Sequence, residues 1–452
     1  MPGLIEKLKN KHFLSLSGNI IMSGVGMLTF AILYHALTPA EMGIWIYFQT
    51  ILLLLDTVRS GFLTTAFIKF YAGAEKQRAD AIMGSTWFIG LAITGIFVCI
   101  NALAFFLLPF ISDVSMRVLI KWFGITFIAM LPYYIATCVV QAEQRFDRLL
   151  FIRFITQMMF VGTVVILIVL HKTSLQNVVL ANLGSAIVTS TVTIMIGFSR
   201  INMVKKSTKA TTLEMFHFGK YAVGTSLSAS LFGKSDVIII KAMLGPAAVA
   251  VYSLGVKFLE LVEIPLRSFA ATATPSLSSA FNRNNKDEVI YIYKKYAGMT
   301  TIMLVPACLA AVLLADFLIS LVGGGQYAGT TMGMQAANVY RLYITFALLY
   351  PADRFLALTL DVISRHQINF YKILIMLAAN IAGDVAGILI FGNVYGVAIT
   401  TFIPILIGTV IGYRELIKYN PFKFKDIYKL GYTEAVWLVK LNWQKIRGAG
   451  GK

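Results

Sequence analysis

The sequence predicts an all-α polytopic membrane protein, and three observations predict it. Hydrophobic residues make up 58% of the 452 residues and charged residues only 13%, whereas a soluble chain carries about 25% charged residues. Apolar runs of the length that crosses about 30 Å of hydrocarbon recur twelve times along the chain. The formal charge is nevertheless +18, from 39 Lys+Arg against 21 Asp+Glu, so the cations must be explained by where they sit. A transmembrane barrel is excluded, because its strands would be about ten residues long and alternate in polarity.

In chain order the spans are 14–37, 43–67, 82–108, 118–140, 150–170, 178–198, 219–244, 247–273, 297–320, 335–357, 367–390 and 394–413. Thr38-Pro39, Gly245-Pro246 and Gly392-Asn393 are turn residues between spans. With the N-terminus in the cytoplasm, 29 of the Lys and Arg residues fall in cytoplasmic segments, Lys372 and Arg354 among them. Three lie outside (Arg117, Lys121, Lys172) and seven lie within spans. Loop charge of this asymmetry sets orientation, so both termini are expected in the cytoplasm. Most of the +18 therefore records topology, and no nucleic-acid partner is implied. No cleavable signal peptide is expected, because the apolar stretch after the polar first dozen residues is too long for one.

The hydrophilic stretch 199–217 divides the chain into an N-terminal lobe (1–205), a C-terminal lobe (206–416) and a basic amphipathic tail (417–452) expected on the cytoplasmic leaflet. The lobes read as repeats. At an offset of 207, Leu37-Thr-Pro-Ala40 meets Leu244-Gly-Pro-Ala247, Trp45 meets Tyr252, and Asp56 meets Glu263, with Arg59 one residue short of Arg267. Two six-helix repeats in one orientation imply a pseudo-twofold axis along the membrane normal, as in many secondary transporters.

Cys99, Cys138 and Cys308 lie in apolar stretches without metal or redox spacing, and the five histidines are scattered. Neither a metal nor a bound cofactor is expected. The candidate site residues are the charges within spans, which cost at least about 2.5–3.5 kcal/mol each and usually face a cavity or a partner. On the second span Trp45, Gln49, Asp56 and Arg59 fall within about 80° of one another, and on the eighth Glu260, Glu263 and Arg267 within about 60°, with Lys257 at the edge. The seventh places Lys234 and Lys241 on one stripe with Asp236 opposite, and Asn19 is polar on the first. Cations at equivalent places in both repeats suit a phosphate-bearing ligand. Asp56, Asp236, Glu260 and Glu263 are candidates for charge balance or for binding a coupling H⁺ or Na⁺. Asp56–Arg59 and Glu263–Arg267 also have the spacing of within-helix ion pairs. Asp316 and Asp384 are expected to be solvated at outer helix ends.

The repeat, Leu37-Thr-Pro-Ala-Glu-Met-Gly43, its echo Leu244-Gly-Pro-Ala-Ala-Val-Ala-Val-Tyr252, and Leu321-Val-Gly-Gly-Gly-Gln-Tyr-Ala328 resemble the polysaccharide transporters, or O-antigen flippases, of the MOP superfamily. The resemblance covers about residues 10–415. It departs in the first half, where Thr38 and Trp45 replace the usual Gly and Tyr, and no arginine lies in the first span. It implies a MATE-like fold and a flippase of the bacterial inner membrane. The cargo the resemblance implies is undecaprenyl-pyrophosphate-linked oligosaccharide, moved by ion-coupled alternating access. The implied partners are that polyprenyl-pyrophosphate-linked oligosaccharide, membrane lipids and other polysaccharide-assembly proteins, with the chain itself a monomer. Arg59, Arg267, Lys234, Lys257, Lys241, Asn19 and Gln49 would line the pyrophosphate and glycan cavity. The rivals are a MATE-like drug/ion antiporter and an integral-membrane glycan polymerase or ligase. The short outside loops, of about 15 residues at most, are too small for an independent catalytic domain.

Overall fold

A computed structural model describes residues 11–449, with side chains described at Gly18, 21–437 and Lys440. Among the described residues the chain is helical without strands. It divides into two compact units between Lys234 and Ser235.

The first unit opens with α1 (Lys11–Ala36) and α2, which runs over Pro39–Ser60, passes through a π-helical turn at Gly61–Thr65, and ends at Tyr71. Thr38 caps α2: its hydroxyl accepts from Glu41 N–H and its own N–H donates to the Glu41 carboxylate, a capping box with Pro39 in the first helical turn. The same carboxylate accepts from Leu175 N–H, tying this turn to the start of a later helix. Then follow α3 (Lys76–Phe105), α4 (Val114–Ala142), α5 (Phe146–Val169), α6 (Leu175–Met195) and α7 (Lys209–Phe232). Pro132 lacks the N–H that continues α4. Across the loosened turn the Ser190 hydroxyl of α6 accepts from Tyr133 N–H and donates to Ala129 C=O, groups that would otherwise pair with each other. Trp87 donates from Nε1 to Ser199 C=O at 2.8 Å. Leu63, Phe67, Trp87, Leu131 and Ile135 form a core of this unit.

The second unit holds α8 (Ser235–Leu244), α9 (Pro246–Lys257), α10 (Glu260–Asn282), α11 (Lys286–Leu313), α12 (Ala315–Gly323), α13 (Thr331–Phe346), α14 (Tyr350–Val362), α15 (His366–Phe391), α16 (Val394–Thr400), α17 (Phe402–Tyr419) and α18 (Lys425–Ala449). Gly245, at φ +87 before Pro246, makes the turn that echoes Thr38-Pro39. The sequence around Pro275 suggests a span ending by 273, yet α10 continues to Asn282. Leu277 and Ala280, fully buried in the core with Tyr293 and Phe355, hold the helix together beyond the proline. The tail helix α18 packs a face of Ile427, Gly431 and Ala435 on α11. A side chain at Gly298 would put its Cβ 2.0 Å from Ile427 O, so only glycine permits this approach. Glu434 pairs with Lys295 at 2.7 Å and accepts from Tyr291 Oη at 2.5 Å. These two bonds hold the Glu434 carboxyl below the usual glutamate range.

Among the described residues eight helices are long and apolar enough to cross a membrane: Pro39–Tyr71, Lys76–Phe105, Val114–Ala142, Phe146–Val169, Leu175–Met195, Lys286–Leu313, His366–Phe391 and Val394–Tyr419. The chain is thus a multi-pass membrane protein. The expected seventh, eighth and tenth spans are instead broken, at Gly233-Lys234, at Phe258-Leu259 and at a 3₁₀ turn over Ala347–Leu349. Glycine weakens a helix interior and marks the first break; Pro351, which lacks the N–H that would pair with Ala347 C=O, marks the third, and neither glycine nor proline marks the second. Lys372, counted by sequence among the cytoplasmic cations, is 2% exposed and pairs with Asp353 at 2.8 Å, so its charge is neutralised inside the second unit.

Candidate functional site

In the first unit, α2 and α4 close around Arg59. Its side chain has no exposed surface. Nε donates to Asp56 at 2.7 Å, one terminal nitrogen bonds the same carboxylate, and the other donates to Phe127 C=O at 3.0 Å. The guanidinium carbon stands 3.7 Å from the centre of the Phe127 ring and 5.1 Å from that of Tyr134. The π-turn begins two residues later, where Thr64 Oγ1 lies 2.9 Å from Tyr134 Oη. At Gly61 a Cβ would be 2.7 Å from the Val223 backbone, so glycine is required for α7 to cross α2 here. An Arg held on all sides is a fixed charge in this arrangement, matched by Asp56 one helical turn away.

In the second unit the charges separate into an open and a closed group. Arg267 pairs with Glu263 along α10 but keeps 74% of its side chain exposed. Lys257 meets Glu260 at 2.5 Å across the α9–α10 break. The closed group centres on Asp236 at the start of α8. Asn380 Nδ2 donates to Asp236 Oδ1 at 2.6 Å, to Asp384 Oδ2 at 3.1 Å and to Ser235 Oγ at 3.2 Å. Tyr252 Oη donates to Asp236 and contacts Tyr343 Oη, which lies 2.8 Å from Thr401 Oγ1. Thr401, Tyr343 and Tyr252 thus form a chain of hydroxyls ending on the Asp236 carboxylate. Asp384 has no exposed surface, and its second oxygen has no hydrogen-bond partner among the described residues. A wholly buried carboxylate joined through one amide to a half-buried one demands a proton or a cation to offset its desolvation. The carboxylate and hydroxyl oxygens of this cluster suit either H⁺ or a hard monovalent ion, while the Asn380 amide presents its N–H donors to both carboxylates.

A family model described as "Polysaccharide biosynthesis protein" matches residues 32–331. The chain belongs to the polysaccharide biosynthesis protein family. A curated relative from Haloferax volcanii, "Probable low-salt glycan biosynthesis flippase Agl15", is 21% identical over 247 residues, 54% of this chain and 50% of that protein. The chain therefore matches half the length of this relative. Among solved structures, "Lipid II flippase MurJ, inward closed conformation" superposes with a TM-score of 0.73 at 15% identity, covering 95% of this chain and 92% of that one. An inward-facing multidrug resistance MATE family transporter of the MOP superfamily gives 0.72 at 13%, covering 91% and 99%. At such identities the likeness is one of fold, and the fold is that of MOP-superfamily transporters.

Within this family member, the structure brings together some residues singled out by sequence and separates others. Asp56 with Arg59, Glu263 with Arg267, and Lys257 with Glu260 are joined in pairs. Lys234 and Lys241 do not share a helical stripe: Lys234 sits exposed in the break between α7 and α8, and Lys241 is buried at 8% in α8. Gln49 is half-buried in α2. Asn19 lies in α1, and its side chain falls outside the described residues. Asp384 is not solvated, as its place near a helix end suggests, but wholly enclosed by the packing of α15. Asp316 is 67% exposed and pairs with Arg341 at 2.6 Å. Sequence reasoning missed Asn380, Tyr343, Thr401 and the Asp353–Lys372 pair. The i,i+4 spacing of Asn380 and Asp384 inside an apolar helix was the available signal for the first.

Proposed function

We propose that the chain moves a polyprenyl-pyrophosphate-linked oligosaccharide across the bacterial inner membrane, by alternating access driven by an ion gradient, with both termini cytoplasmic. The observation that carries this reading is Arg267, a guanidinium 74% exposed on the amphipathic helix α10 of a membrane protein of this family. Planar guanidinium donors match phosphate oxygens in pairs. Arg267 supplies the first phosphate contact, Lys257 and Lys234 supplement it, and Glu263 keeps the guanidinium oriented until the ligand arrives. Arg59, enclosed by Asp56 and Phe127, enters only if α2 and α4 rearrange. Asp236 and Asp384 bind the coupling H⁺ or Na⁺. The reading is of a transporter rather than a catalyst, working as a monomer beside other polysaccharide-assembly proteins.

The test is complementation of a flippase-null host. Arg267→Ala should abolish surface polysaccharide while the protein remains folded in the membrane; wild-type-like polysaccharide from this variant would sink the assignment. The near-equal superposition on a MATE transporter favours a second reading, a drug/ion antiporter. In that case Asp236→Asn and Asp384→Asn would eliminate function, Arg267→Ala would not, and hydrophobic cations would compete for binding.

A further inference from the structure

A cavity of about 550 Å³ opens in the first unit, away from the charges described above. Tyr71 at the end of α2, Lys76 and Asp80 at the start of α3, and Ile194, Arg200 and Ile201 after α6 line it. Three membrane-crossing helices therefore end or begin at this place, which puts the cavity at the edge of the hydrocarbon.

Its polar wall is cationic. Arg200 donates to Tyr71 Oη at 2.6 Å and pairs with Glu143, and Lys206 pairs with Asp80 at 2.6 Å. Those two pairs balance each other. Lys76 is exposed and makes no ion pair among the described residues, so the wall carries one uncommitted positive charge. The pairs also hold Tyr71, Arg200 and Asp80 in fixed positions around it. The rim is of the opposite character: Met195 and Ile196 are 81% and 50% exposed, beside Ile194 and Ile201. A charged wall with an apolar lip at the membrane edge is complementary to an amphiphile with an anionic head.

We propose that this cavity seats the phosphodiester headgroup of an anionic phospholipid. Its phosphate would lie on Lys76 and the outer face of Arg200, and its acyl chains along Ile194, Ile196 and Ile201. Electrostatic attraction to anionic lipid is common for basic residues at a membrane edge. Here a half-open recess and an adjoining apolar lip would make the contact a site. This lipid is distinct from the transported ligand.

The experiment is native mass spectrometry of the full-length protein in detergent, titrated with phosphatidylglycerol. Phosphatidylcholine and inorganic phosphate form separate arms. Lys76→Gln should lower phosphatidylglycerol occupancy roughly three- to tenfold, the scale of one basic residue's attraction to an anionic membrane surface, and Lys76→Arg should restore it. Lys209→Gln removes an exposed cation outside the cavity and should change nothing. Equal losses in K76Q and K209Q, or phosphatidylcholine binding as well as phosphatidylglycerol, would overturn the site. So would inorganic phosphate displacing the lipid at equal concentration, because the lip would then contribute nothing.

Discussion

The helix stretches that carry Arg59 and Arg267 are repeats of one sequence plan with opposite surroundings. Each begins with a proline turn, places an acid 17 residues later and an arginine three or four residues beyond. Around Arg59, α2 stays continuous through the π-turn, the rings of Phe127 and Tyr134 cover the guanidinium, and Gly61 lets α7 press close. Around Arg267 the helix is broken at Phe258-Leu259, and the arginine stands on an exposed face. The aromatic positions differ in the same sense. Trp45 stacks on Phe160 at 5.5 Å, while its counterpart Tyr252 turns a hydroxyl onto Asp236. One half thus encloses its arginine and keeps its aromatic dry; the other exposes its arginine and buries a polar network. Both halves pair the acid with an arginine one helical turn away, so that pairing cannot be what assigns the roles. Solvent access does.

The largest effect should come from breaking the enclosed pair. Asp56→Ala leaves a guanidinium buried without its carboxylate, which costs about 3–5 kcal/mol. Glu263→Gln, at an exposed pair, should cost no more than about 1 kcal/mol. Thermal unfolding of the two purified variants checks this, and equal losses would erase the distinction between the regions. A smaller loss is expected from Gly61→Ala, about 1–3 kcal/mol, because α7 must move off α2 to admit the methyl. Gly233→Ala, at a position whose Cβ meets nothing closer than 3.7 Å, is the matched control, and similar losses in the two would contradict the tight crossing.

The smallest effect sharpens the contrast at a half-buried pair outside the membrane-crossing charges. Glu434 is held below the ordinary glutamate range by Lys295 and Tyr291, so its contribution to docking α18 is present above that range. It is lost as pH falls through the lowered value. Limited proteolysis of the tail should therefore accelerate on acidification, and Glu434→Gln should show the faster cleavage already at neutral pH. A pH-independent cleavage rate in the wild type would remove Glu434 from the docking contact.

Much of the fold was legible because it is local. Apolar length predicts the eight helices able to cross a membrane, and Thr38-Pro39-Ala-Glu41 announces its capping box four residues at a time. The three broken rods were less legible. Gly233 and Pro351 hint at two of the breaks, but the turn at Phe258-Leu259 carries apolar residues that a hydropathy window reads as continuous helix. The ion pairs of Asp56 and Glu263 were readable for the same reason as the caps: their partners lie one turn away on the same helix.

What the sequence by itself determined is the class of molecule, the repeat and these within-helix contacts, since spacing along one helix sets which side chains are neighbours. Only the tertiary structure decided which arginine is enclosed, that Lys372 is neutralised by Asp353, and that Asp236 meets Asn380 and Asp384 from 144 residues away and beyond. The physical reason is that charge in a membrane protein takes its meaning from desolvation. Desolvation depends on which other helix packs over a residue, and no spacing within its own helix encodes that.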